Sequence, residues 1–207
     1  LIDLRNQSYK IFEVIVVDDN STDRTPEIVL SFTSQDPRFR MIKSPGEGKK
    51  VALTRGIQFS NGEIIVTTDG DCRVNVKWLK SIATLFQRPS SMMVFGGVKI
   101  EGPTFFSAVQ THEFLSLIGT AAATLSLGFP SFCNGANLAF RKSVFVDVGG
   151  YTNNFHIPSG DDEFLMRKVF KYYPNGVQFI SDPDAIVTTS AAACLNVFVH
   201  QRVRWAG

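Results

Sequence analysis

Short apolar runs alternate with segments of helical spacing over the first hundred residues. "FEVIVV" at 12–17 is a strand-length run that stops at "DDNSTD". There Ser21, Thr22 and Asp23 are helix-capping types and Pro26 suits a first helical turn, so a helix through "TPEIVLSFTSQ" is expected before a short strand "RFRMIKS". Val51, Leu53, Ile57 and Phe59 give "GEGKKVALTRGIQFS" a helical reading that "NG" ends. The run Ile64, Ile65, Val66, Thr67 reads as a strand buried on both faces, yet it leads into Asp69, Gly70 and Asp71. Trp78, Leu79, Ile82, Leu85 and Phe86 recur at helical spacing, and "SMMVFGGVKI" reads as one further strand.

This rhythm predicts an α/β fold with a largely parallel central sheet and helices on both faces. In such sheets ligands bind at the carboxyl ends of the strands, where Asp18 with Asp19 and Asp69 with Asp71 are expected to share one edge. After Gly96 and Gly97 the pattern fades into Phe, Ser, Ala and Gly. It resumes at "CNGANLAFRKSVFVDVGGY", a short strand leading into a short helix, and at "DDEFLMRKVFKYY", a helix begun by Asp161 and Asp162 and ended by "PNG". No internal repeat is visible.

The length of 207 residues predicts one domain with its own core. An apolar share of 44% against 19% charged residues suits a globular chain rather than a disordered one. A net charge of +2 without a dense basic stretch speaks against nucleic acid as a partner. Cys72, Cys133 and Cys194 lie far apart, which implies neither a zinc site nor a disulfide framework and suits a reducing compartment. The uncharged runs 114–132 and 185–199 approach the length of a membrane span. Gly119, Gly128 and Pro130 interrupt the first and the second is short, so both are read as buried or interfacial. "LIDLRNQSYK" reads as the end of a helix, "VFVHQRVRWAG" stops abruptly, and both ends read as cut.

Several polar groups carry candidate chemistry, each beside a plainer reading. Two carboxylates separated by one glycine can share Mg²⁺ or Mn²⁺ together with phosphate oxygens; Asp and Gly are also ordinary turn residues. Asp19 at a strand tip is placed to accept a hydrogen bond from the imide of a pyrimidine base, whereas Asp23 reads as a cap. Lys49 and Lys50 suit either phosphate charge at a helix start or a solvated helix surface. Asp161 and Asp162 sit where a helix dipole stabilises acids, and where a general base could face a cleft; His156 is a second candidate base. "QRVRW" at 201–205 offers an amide, two guanidinium groups and an indole, suited to phosphate and a sugar face or to a basic amphipathic helix on a membrane.

Taken in order, "VVDDNSTD", "GKKVAL", "DGD", "CNGANLAFR", "GDDEF" and "QRVRW" resemble the family 2 glycosyltransferases of the GT-A fold over nearly the whole chain. The last is similar to the Gln-x-x-Arg-Trp signature of the membrane-associated branch of polysaccharide synthases and glycolipid transferases. The resemblance implies a single GT-A domain over 1–207, with a nucleotide-binding half at 1–100 and an acceptor-side half at 101–207 that ends in an interfacial helix. It implies inverting transfer from a nucleoside-diphosphate sugar, a UDP-sugar above others, to a saccharide or lipid-linked acceptor at the cytoplasmic face of the cell membrane; the alternatives are a soluble nonprocessive transferase and a catalytically silent nucleotide-sugar-binding or scaffolding module. By the same resemblance Asp19 meets the base, Lys49 lies near the nucleotide, Asp69 approaches the ribose or diphosphate and shares with Asp71 a Mg²⁺ or Mn²⁺ cofactor. Asp162, with Asp161 beside it, deprotonates the acceptor. Gly135 and Asn137 line the sugar pocket, Arg204 offsets the diphosphate charge, Trp205 borders an acceptor channel and Gln201 belongs to the same substrate-binding signature. The acid pair is Asp-Asp where the family more often has Glu-Asp. A first strand before residue 1 and membrane helices after 207 are also implied, so weak or no turnover is expected of this segment alone.

Overall fold

The structure, a computed structural model, describes residues 1–152, 154 and 159–206. In chain order the elements are α1 (Ile2–Arg5), β1 (Val14–Asp18), α2 (Thr25–Thr33), β2 (Phe39–Lys43), α3 (Lys49–Phe59), β3 (Ile64–Thr67), β4 (Arg73–Val74), α4 (Trp78–Phe86), β5 (Met93–Gly96), β6 (Val98–Glu101) and α5 (Phe105–Ser126). They continue with β7 (Leu138–Arg141), α6 (Lys142–Asp147), α7 (Asp161–Tyr172), β8 (Val177–Ile180), β9 (Val187–Ser190) and α8 (Leu195–Ala206). Short 3₁₀ turns cover Gly135–Asn137 and Pro183–Ala185.

The α/β layering follows the sequence pattern, and β1 pairs with β2 in parallel. The central sheet has the order β3-β7-β5-β8. Strands β3, β5 and β8 run in one direction, while β7 lies antiparallel between β3 and β5. A third sheet orders β4-β9-β6, with β6 parallel and β4 antiparallel to β9. Because β7 runs against its neighbours, it begins where β3 ends. Thr67 pairs with Leu138, which brings the Gly135–Asn137 turn to the carboxyl edge of β3. The central sheet takes β3 and β5 from the first hundred residues and β7 and β8 from the rest.

Burial on both sheet faces explains the unbroken apolar runs. Met93, Phe95, Leu138 and Phe140 pack into one core with Leu165, Met166 and Val169 of α7. Val94 and Ala139, one residue out of phase, face the other core with Trp78, Ile82, Phe114 and Ile118. Helices therefore cover both sides.

Two elements depart from the sequence expectation. "SMMVFGGVKI" is two strands in different sheets, parted at Gly97. Gly96 is needed there for close approach, since a Cβ would lie 2.4 Å from Asn137 Nδ2 and 2.6 Å from Ile180 Cγ2. The region after Gly97, read as lacking rhythm, holds α5, the longest helix described. Its start is fixed by a reciprocal cap between Thr104 and Ser107. The buried positions Ser107, Gln110, Phe114, Ile118 and Ala121 keep helical spacing, but two are polar and the opposite face is itself apolar, which hid the periodicity. Among the described residues no helix is long and apolar enough to cross a membrane.

Candidate active site

At the tip of β1, Asp18 is buried and its Oδ1 accepts from the Ser21 N–H at 3.2 Å. Asn20 takes a left-handed φ of 60°, a conformation Asn tolerates, and turns the chain away from the sheet. Asp19 stays exposed, and its Oδ2 accepts from the Gly48 N–H at 2.9 Å. Gly48 reaches it with φ of 105°, a backbone state that side chains disfavour, and it is also the N-cap of α3.

The next residue extends the chain of contacts. Lys49 Nζ donates to Asp69 Oδ1 at 3.0 Å, linking the start of α3 to the end of β3. Burial pulls the Lys49 ammonium down, but Asp69, Asp161 and Asp162 outweigh it and hold the group above its ordinary range. Asp71 is exposed, and its contacts among the described residues are long, to Thr189 Oγ1 at 3.4 Å and Cys72 Sγ at 3.7 Å. Burial, then Asp71 and Asp69, push the Cys72 thiol up to about 11, so it stays protonated at neutral pH.

β7 supplies the floor. Thr67 Oγ1 donates to Gly135 O at 2.6 Å, and Gly135 N–H donates to Asp162 Oδ2 at 2.7 Å. A Cβ on Gly135 would sit 3.4 Å from Asp162 Oδ2 and 3.5 Å from Lys49 Nζ, so both charged groups flank this glycine. Asp162 Oδ1 also accepts from the Glu163 N–H at 2.8 Å. Burial, and then the charge of Asp161, raise the Asp162 carboxyl above the usual carboxylate range, opposed by the two N–H donors and by Lys49. A basic carboxylate held by backbone donors suits proton abstraction at neutral pH.

The structure thus joins Asp19, Lys49, Asp69, Gly135 and Asp162 in one contact path, with Asp71 two residues past Asp69 on the same edge. Asp161 is buried beside Asp162. Asn137, expected in the sugar pocket, is 2% exposed and bonded into the frame of the site. Its Nδ2 donates to Gly97 O and Ala185 O, both at 2.8 Å, and its Oδ1 accepts from Trp78 Nε1 at 3.0 Å, so three of its four side-chain hydrogen-bonding positions are taken within the fold. His156 lies outside the described residues.

Among the described residues, the hydrogen bonds and ring contacts of the signature at 201–205 run within α8 and to α5. Trp205 packs on Phe114 of α5, centroids 5.5 Å apart, and on the Arg202 guanidinium at 4.3 Å. Arg202 donates to Glu113 Oε1 at 2.9 Å and to Gln201 Oε1 at 2.9 Å, so Arg202 rather than Arg204 pins α8 to α5. Arg204 is exposed and, among the described residues, forms no ion pair. Sequence reasoning also missed the burial of Lys50, which is 4% exposed rather than solvated. The available signal was its position seven residues before buried Ile57, on the same helix face.

Among the described residues no cluster of three or more acids, His or Cys could hold a metal unaided. Asp69 and Asp71 offer two hard oxygen donors on an open edge, which fits a hard divalent cation whose remaining positions are filled by phosphate oxygens.

Residues 1–149 match the family described as Glycosyl transferase family 2. The chain is 30% identical over 152 residues to glycosyltransferase AglE of Haloferax volcanii, covering 73% of this chain and 48% of that protein. It is 27% identical over 211 residues to the beta-monoglucosyldiacylglycerol synthase of Nostoc sp., covering 94% and 42%. It therefore spans less than half the length of either relative. The fold matches a mannosyltransferase of Pyrobaculum calidifontis in complex with GDP-mannose and Mn²⁺, with a TM-score of 0.72 and 22% identity over 98% of this chain and 55% of that one. The match establishes the GT-A arrangement of the sheet and its helices.

Proposed function

The chain belongs to glycosyl transferase family 2, and on that premise we propose that it transfers a sugar, with inversion, from a UDP-sugar to a saccharide or lipid-linked acceptor. The observation that carries this reading is the continuous path from Asp19 through Lys49 and Asp69 to Gly135 and Asp162, which sets a nucleotide-facing edge beside a basic carboxylate.

Asp19 has one carboxylate oxygen engaged by Gly48, leaving the other to accept a single imide N–H, as uracil offers. Guanine presents two donors side by side and fits this half-occupied carboxylate less well. Lys49 places positive charge where the diphosphate is expected, and exposed Arg204 on α8 is the second cation for the departing group. Asp69 and Asp71 would hold Mg²⁺ or Mn²⁺, which when bound offsets the charge that develops on the leaving diphosphate. Asp162 takes the proton of the acceptor hydroxyl as that oxygen bonds to the anomeric carbon. The bond from that carbon to the diphosphate breaks on the opposite face, and single displacement inverts the centre.

The whole of 1–207 acts as one domain in this reading, with the nucleotide contacts before residue 100 and the base after it. We place the protein at the cytoplasmic face of a membrane. Exposed Phe105 and Val109 on α5 and Leu195 and Val203 on α8 give it an apolar surface, and the Nostoc relative is by name a glycolipid synthase. Calorimetry with UDP tests the site. Binding should require Mn²⁺ or Mg²⁺, exceed that of GDP, survive Asp162→Ala and fall at least about tenfold in Asp71→Ala, with transfer lost in both. Metal-independent UDP binding, or transfer retained in Asp162→Ala, would overturn the reading.

A further inference from the structure

Lys49 and Lys50 are consecutive in the first turn of α3, and they serve opposite sides of the cleft. Lys49 turns to Asp69 on the donor side. Lys50 turns inward, 4% exposed, and its ammonium donates to Asn154 O at 3.0 Å and Ser159 O at 2.9 Å. It also lies over the ring of Phe164, 5.6 Å from the centroid. These carbonyls belong to the segment that enters α7, and the residue after Ser159 is Gly160, the N-cap of α7, which provides no side-chain cap. The next two residues are Asp161 and Asp162. A buried ammonium is costly unless several acceptors surround it, so its retention here needs a reason.

We infer that Lys50 is a positioning residue: by tying the Asn154 and Ser159 carbonyls to α3, it sets where the Asp162 carboxylate stands relative to the donor site that Lys49 marks. Donor-side and acceptor-side groups are thereby referenced to one helix turn. The inference rests on Asp162 being the base. Burial draws the Lys50 ammonium down, partly countered by Asp161 and Asp162, so the amine also senses the acid pair. Among the described residues, the other groups near Asp162 are Lys49, Glu163, Cys133 and Tyr151. None of them bonds the loop carbonyls that Lys50 holds.

The test uses the full chain with Lys50→Met, Lys50→Arg and Asp162→Asn. Three readouts apply: Mn²⁺-dependent UDP affinity, amide hydrogen exchange, and diphosphate release from the best donor among UDP-glucose, UDP-N-acetylglucosamine and GDP-mannose. In Lys50→Met, UDP affinity should stay within about twofold, exchange at 159–163 should rise about tenfold, and kcat should fall at least about tenfold with little change in donor KM. Lys50→Arg should recover much of the kcat. In the Asp162→Asn background, Lys50→Met should add almost nothing, since the two residues act through one carboxylate. Unchanged exchange at 159–163, or equal losses in UDP affinity and kcat, overturns the inference, as does full additivity with Asp162→Asn. If Lys50→Met does not fold, the same exchange and kinetic comparison is made with Lys50→Gln, under the same criteria. An active Asp162→Asn would sink the base assignment itself, a result distinct from an inert Lys50→Met alongside an inactive Asp162→Asn.

Discussion

Replacing Asn137 with alanine separates framing from ligand contact more sharply than any other change at the site. Its side chain makes three hydrogen bonds, two donated to the Gly97 and Ala185 carbonyls and one accepted from the indole of Trp78, which is 1% exposed. Three such bonds are worth about 2–4 kcal/mol together, and the orphaned Trp78 N–H, sealed from water, carries a penalty of about 1–3 kcal/mol, partly the same energy counted from the other side. A net loss of about 3–5 kcal/mol is expected, a large share of the roughly 5–15 kcal/mol that holds a typical domain together. Urea unfolding followed by far-UV circular dichroism measures it as a shift in midpoint at constant slope. The folded fraction should bind UDP with nearly its parent affinity, because the Asn137 side chain is buried and both of its donors and one acceptor position are taken within the fold. Stability within about 1 kcal/mol of the parent, together with a tenfold loss of sugar-nucleotide affinity, would refute the reasoning and return Asn137 to the pocket.

Asp162→Asn should lower transfer by about 100-fold or more, and its stability should depend on pH in a predictable sense. The folded carboxyl sits above its unfolded value of about 3.9, so below that pH both states are neutral and the group contributes nothing. As pH rises through the folded value, the parent acquires a buried charge beside Asp161 that the variant lacks. The melting temperature of the variant relative to the parent should therefore climb with pH over that window, and a flat difference would contradict the burial argument. Glu113→Ala should release Arg202 and loosen α8, with a stability cost of about 1 kcal/mol since the pair is only partly exposed. Iodide should then quench Trp205 more strongly while Trp78, buried in the core, serves as the unaffected reference; unchanged quenching would show that the pair does not hold the helix.

Elements whose signals are local were legible from the sequence. β1 and β3 are short apolar runs ending in acids, and α7 starts at an acid pair and ends before "PNG", so neighbours alone decide them. The antiparallel entry of β7 was not legible, because register depends on which strands meet and not on the strand itself. α5 was hidden for a different reason. Its apolar residues lie on both faces and its core positions include Gln110, whose side chain exchanges two hydrogen bonds with the Ala192 backbone. Asn137 and Lys50 show the same limit at the site: their residue types suggest ligands or solvent, while the partners that satisfy them come from distant carbonyls. The positions of Asp19, Asp69 and Asp162 were traceable because strand tips and helix starts are marked by local pattern, whatever packs behind them.

The antiparallel β7 has a consequence for how such a protein can diversify. Gly135 is clamped from two sides, by Thr67 of β3 and by Asp162 of α7, and Asn137 is locked into the frame two residues later. The exposed part of the stretch between the end of α5 and this clamp, before Phe132 and Cys133 pack on the core, can therefore vary without touching the bonds that hold Asp162. Exposed Leu127 and Phe129 lie in that stretch. Under the proposed function, natural variation or a laboratory library confined to 127–131 is expected to redraw acceptor preference while the frame around Asp162 stays fixed.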